Sequence, residues 1–141
     1  MTGGGSVFTT ATAAGQPSIG TRVTHGFELH CNKADLPNSL EINWDGGNKF
    51  HLEDLTFAKC WDDPKIDSPA PPAARFDTFN GRGSGRLNGT AGGTAEWTFT
   101  DAGEPGVNDT VLLTIKDKGG NVVLQILVPA KLTKGNHQAH K

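Results

Sequence analysis

An all-β fold, an antiparallel β-sandwich or flattened β-barrel of about eight to ten strands, is what this chain of 141 residues predicts. Three observations carry the prediction. Apolar residues recur at every second position in one segment after another, the period of an extended strand with one face buried. Nineteen glycines and eight prolines punctuate those segments while only 35% of residues are hydrophobic, which suits short strands joined by turns. No window of helical length carries apolar residues at three- and four-residue spacing. The length fits a single β domain over residues 1–141.

Residues 1–20 read as a Gly/Thr-rich arm, opening on Met1-Thr-Gly-Gly-Gly5 with the look of a trimmed start and no signal peptide, and holding a first strand at Ser6-Val7-Phe8-Thr9. From Arg22 to Cys31, Val23, His25, Phe27, Leu29 and Cys31 share one face, and Thr24, Gly26, Glu28 and His30 the other. Leu40, Ile42 and Trp44 repeat the pattern before Asp45-Gly46-Gly47-Asn48, a tight-turn signal. Phe50 and Leu52 open the returning strand. Its phase slips near Asp54, where a bulge lets Leu55 and Phe57 continue the apolar face. The loop 61–74 holds Pro64, Pro69, Pro71 and Pro72 and cannot be a central strand. Extended structure resumes at Arg75–Asn80 and enters Gly81-Arg-Gly-Ser-Gly85, whose alternate glycines suit a sharp bend or close approach to another backbone.

Trp97, Phe99 and Asp101 then alternate with Glu96, Thr98 and Thr100. Pro105-Gly106 predicts a turn with Pro at its second position and Gly at positive φ at its third. Thr110–Lys116 and Val122–Val128 flank a hairpin turn at Asp117-Lys-Gly-Gly-Asn121. Val122–Val128 is apolar on both faces and is expected to be central or to lie under an interface. Ala130 to about His137 reads as the closing strand.

A net charge of −2 offers no basic field for nucleic acid, and no apolar run is long enough for membrane insertion. Cys31 and Cys60 are the whole cysteine inventory and lie near the ends of two candidate strands. A disulfide between them would imply an oxidising, extracellular compartment; the alternative is two buried thiols in a cytosolic protein.

A zinc or copper site needs three or four converging nitrogen or oxygen ligands. His25 and His30 are an odd number of residues apart and face opposite ways, so a site has to be assembled across strands, from His30 and His51 with Glu28 or Glu53. The plainer reading has solvated histidines on strand faces and one satisfied core histidine, His25. Asp101, Glu104, Asn108 and Asp109 crowd one turn with oxygen ligands of the kind calcium takes. Alternatively, the Asp101 carboxylate bonds nearby backbone amides and orders the turn. Asp62 and Asp63, beside Trp61, are candidate paired carboxylates for glycoside chemistry, although adjacent loop residues point apart. Trp44 and Trp61 are candidate stacking platforms for sugar rings. Alternation with Leu40 and Ile42 assigns Trp44 to the core and leaves Trp61 as the surface candidate. Gly81-x-Gly83-x-Gly85 is not a phosphate loop, because no Lys-Ser/Thr pair and no helix follow it.

The opening Thr2-Gly-Gly-Gly5, Asn38-Ser-Leu-Glu-Ile-Asn-Trp44, Phe50-His-Leu52 with Leu55-Thr56, Phe99-Thr-Asp-Ala-Gly-Glu-Pro-Gly106, Asp109 and Gly135-Asn-His-Gln-Ala-His140 are landmarks of a family. In them the chain resembles the post-choice-of-anchor C-terminal module of bacterial secreted and surface proteins. The likeness spans nearly the whole chain and rests chiefly on the Gly-Glu-Pro-Gly turn together with the Asn-His-Gln-Ala-His ending. It implies an all-β extracellular module appended to larger proteins, with no catalytic residues to carry over. The stretch Cys60–Arg75 departs from a minimal member. Three functions follow as expectations: a non-catalytic binding or spacer module contacting polysaccharide, a small metal-dependent enzyme, and a subunit that self-associates through Val122–Val128.

Overall fold

The alternating segments form strands, and each pairs with its neighbour in sequence. The computed structural model describes residues 1–10, 17–68 and 70–141; the rest of the N-terminal arm (11–16) and Pro69 of the proline-rich loop lie outside the described residues. Among the described residues there are nine strands: β1 Thr2–Phe8, β2 Arg22–Glu28, β3 Ser39–Trp44, β4 Asn48–Trp61, β5 Thr78–Leu87, β6 Thr90–Thr100, β7 Thr110–Lys116, β8 Val122–Lys131 and β9 Lys134–Gln138. All are antiparallel, in one sheet of order β8-β7-β6-β5-β4-β3-β2-β1-β9, curled as a half-barrel. The two edges, β8 and β9, are consecutive in the chain. Leu132 and Thr133 make the corner between them, their N–H groups donating to Asp109 O (3.0 Å) and Ser6 O (2.8 Å).

The curl presses the inner face of β2 onto that of β6, where the Phe27 and Phe99 rings stack with centroids 4.5 Å apart. Phe50, Phe79, Trp97, Phe99, Leu40, Ile42, Ile115 and Leu124 are fully buried around them. Each such side chain stabilises the fold by roughly 1.5–3 kcal/mol. The alternate glycines of β5 make the space: a Cβ at Gly81 would stand 2.5 Å from the Trp97 indole, and one at Gly85 only 2.0 Å from His51 O. Cys31 and Cys60 are disulfide-bonded, with Cα atoms 5.5 Å apart. Since β3 pairs β4 only as far as His51, the bond fastens the loop after β2 to the half of β4 that pairs β5 alone.

Several expectations are corrected. The first strand begins at Thr2, not Ser6, because β1 is sandwiched between β2 and β9 and its glycines admit both backbones; a Cβ at Gly5 would meet Lys134 O at 2.2 Å. The β4 bulge predicted near Asp54 is present, but a second register shift follows between Leu55 and Phe57. Phe57 therefore faces outward, and Ala58 and Cys60 pack on the core instead. The turn after β6 takes its positive φ (82°) at Gly103, while Pro105 follows a cis peptide and Gly106 sits in a 3-10 turn, Gly106–Asn108. Gly106 is there for space, since a Cβ would lie 2.2 Å from Asn136 Oδ1. Val122–Val128 is not central. It belongs to the edge strand β8, whose pairing slips between Ile126 and Ala130, leaving Leu127 and Val128 62% and 65% exposed. The closing segment is divided, its first part finishing β8 and its second forming β9.

Candidate functional site

The predicted acidic turn is a clamp. Asp101 Oδ1 accepts from Gly103 N–H (2.9 Å) and Oδ2 from Ala139 N–H (2.8 Å). Asp109 Oδ1 accepts from Ala102 N–H (2.8 Å) and Oδ2 from His137 N–H (2.7 Å). Glu104 receives Asn136 Nδ2, and Asn108 receives the Lys131 ammonium. Both buried aspartates thus order the turn and hold β9 to it, which is the backbone-bonding alternative for Asp101. Burial raises Asp109 to about 6, against the lowering effect of its two amide donors.

His25 and His137 were not paired by any reading of the sequence, because 112 residues separate them. They are buried with Nε2 atoms 2.7 Å apart. Thr100 O, 2.8 Å from His137 Nδ1, can only accept, so His137 carries its proton on Nδ1. Its Nε2 then accepts from His25 Nε2–H, and the buried His25 Nδ1 makes no hydrogen bond among the described residues. Burial lowers His25 to about 3 and His137 to about 4. Both are neutral at ordinary pH: His25 stacks with Phe27 and Phe99, and His137 meets Phe27 and His25 edge-on.

The histidines and carboxylates expected to form a zinc or copper site are engaged apart. His51 Nδ1 meets Glu41 at 2.9 Å and Glu53 pairs with Arg86, while the His30 Nδ1 is buried without a hydrogen bond among the described residues and only its backbone N–H is held, by Asn38. Glu28 ends β2 in solvent. Among the described residues no group of three or more His, Cys, Asp or Glu is arranged to hold a metal ion. In the proline-rich loop, Asp63 Oδ1 accepts from Lys65 N–H while Asp62 stays exposed. Asp63 thus shapes the loop, and its own N–H donates to Asp77 Oδ1 at 2.9 Å.

The remaining surface of interest is the outward face of β4 to β8. Pairing sets Phe57, Arg82, Glu96, Thr114 and Gln125 in one cross-strand row. Beside it run Lys59, Asn80, Thr98 and Leu112 on one flank, and Ser84, Thr94 and Lys116 on the other. Ser84, Thr98, Thr114 and Gln125 are only half exposed, so the face is hollowed. The hollow is a groove of about 530 Å³ with Arg82, Ser84, Thr94, Glu96, Thr114 and Lys116 in its lining. A smaller one of about 180 Å³ shares Glu96 and Thr114 and continues over Asn80 and Thr98 towards Leu127. Trp61, at the end of β4, is half-buried with Lys59 Nζ 5.7 Å from its ring centroid. The same alternation that turns Phe57 outward places Trp61 on this face, four residues further along. Sequence reading found Trp61 but not the groove, which exists only through strand pairing.

No helix among the described residues is long and apolar enough to cross a membrane. Comparisons with protein-family models, curated proteins and solved structures find no match to this chain.

Proposed function

We propose that this chain is a non-catalytic β module of a bacterial secreted or surface protein, and that it binds polysaccharide along the outward face of β4 to β8. The observation that carries the reading is the hollowed row of hydroxyl, amide and charged side chains, bordered by Phe57 and Trp61 on β4. Hydroxyls and amides on a rigid sheet exchange hydrogen bonds with sugar hydroxyls, and an aromatic ring offers its face to apolar sugar carbons. The extracellular assignment rests on the Cys31–Cys60 disulfide, which persists in oxidising compartments. The family likeness rests on the sequence landmarks alone, of which the Gly-Glu-Pro-Gly turn (103–106) and the Asn-His-Gln-Ala-His ending (136–140) meet through Glu104 and Asn136. Pull-down on insoluble polysaccharides is the test. Retention that Trp61→Ala weakens supports the reading, and no retention on any of them rejects it.

A second reading, self-association, is favoured by Leu127 and Val128, exposed side by side on an edge strand. Light scattering over a concentration series tests it: mass should rise with concentration and stay monomeric in Leu127→Lys.

A further inference from the structure

Charge on the same face narrows the ligand. Arg82 lies in the central row with its guanidinium 5.0 Å from the Phe57 ring centroid and its Nε 3.3 Å from Glu96 Oε1. Lys116 lies two strands away and one row along, on β7. Lys59 reaches over Trp61. Pairing sets Asp54 opposite Ser84, so within these three rows three cations stand against two carboxylates. Glu96 is already answered by Arg82, whereas neither Lys59 nor Lys116 forms an ion pair among the described residues. Strand spacing and rise place the backbones of Arg82 and Lys116 about 12 Å apart, a span covered by linked pyranose rings rather than by one sugar.

We propose that the groove selects acidic polysaccharide, a chain of uronic acid units whose carboxylates are received by Lys116 and Arg82 while ring hydroxyls meet Ser84, Thr94 and Thr114. The proposal rests on the polysaccharide-binding reading above and adds the charge of the chain. Arg82 is a fork that can hold Glu96 with one nitrogen and a ligand carboxylate with another. Lys116 supplies an unspent ammonium at the far wall. Glu96 braces Arg82 and accepts from sugar hydroxyls.

Isothermal titration with polygalacturonate, and in parallel with neutral dextran and xylan, tests it. The wild-type chain should bind polygalacturonate more tightly than either neutral polymer, with affinity falling as sodium chloride is raised, because exposed charge pairs are screened. Arg82→Gln and Lys116→Gln should each weaken polygalacturonate binding by roughly threefold to tenfold, and weaken it more than they weaken dextran or xylan binding. Both side chains are exposed, so circular dichroism should show unaltered folding. Glu96→Gln keeps an oxygen that can accept from Arg82 and from sugar hydroxyls and removes a carboxylate that repels the ligand, so it should not weaken binding of the acidic ligand. Equal binding of acidic and neutral chains, with no effect of either substitution, overturns the charge assignment and leaves polysaccharide binding standing. Binding of no polymer overturns both.

Discussion

A pair of neutral imidazoles in contact inside an aromatic core makes His25 and His137 the residues most sensitive to acid. Their ordinary value is 6.5, and burial lowers them to about 3 and about 4. A depressed folded value gives stability that is present above 6.5 and is lost as pH falls towards 4, since the unfolded chain takes up protons that the folded one refuses. Asp109 works the other way between about 6 and its ordinary 3.8, because burial makes its folded form bind a proton more readily. Asp77, which burial also raises, sides with Asp109, but each histidine is lowered by more than Asp109 is raised, and the pair sets the net sign. Urea denaturation should show stability falling from pH 6.5 to 4, with each fully differential proton worth about 1.4 kcal/mol per pH unit. His25→Phe, whose ring stacks with Phe27 and Phe99, should flatten that slope. An unchanged slope would show that the pair is not held neutral. Gly81→Ala forces a methyl against the Trp97 ring and should destabilise by about 1–3 kcal/mol in the same assay.

Among elements, β9 depends on two carboxylates for its place. Asp109→Asn replaces one accepting oxygen with an amide that cannot receive a backbone N–H, so Ala102 or His137 loses its partner. A cost of about 1–3 kcal/mol is expected, with hydrogen exchange at the His137 and Ala139 amides accelerating before that of β5 and β6. Because the carboxylates are committed to amides, calcium or a chelator should leave the melting temperature unchanged; a rise with calcium would restore the cation site. The strands themselves were legible in sequence wherever periodicity is local, as in β2, β3 and β6. Strand β1 was shortened because Gly3, Gly4 and Gly5 have no side chains to alternate. Phe57 was misplaced because a bulge shows in sequence only through the residues after it, and the second one returned the phase.

At the scale of the whole molecule, the sheet is held by pairings across its curl as well as along it. The sequence predicted the number and antiparallel sense of the strands, but not which faces meet, so the His25–His137 contact, the clamp on β9 and the groove all escaped it. Such features join residues distant in sequence, for which alternation has no signal. The Cys31–Cys60 bond closes a separation of 29 residues, and its loss in Cys31→Ser with Cys60→Ser should cost about 3–4 kcal/mol by denaturant titration on the chain-entropy model. The continuity of β8 into β9 bears on how the molecule assembles. Both rims of the sheet are drawn from one stretch of chain that reaches back to β1, its longest loop to close. Until that stretch docks, β1 presents an unclaimed row of amides and carbonyls, which opens the assembling chain to pairing with other chains at a strand that the finished sheet encloses.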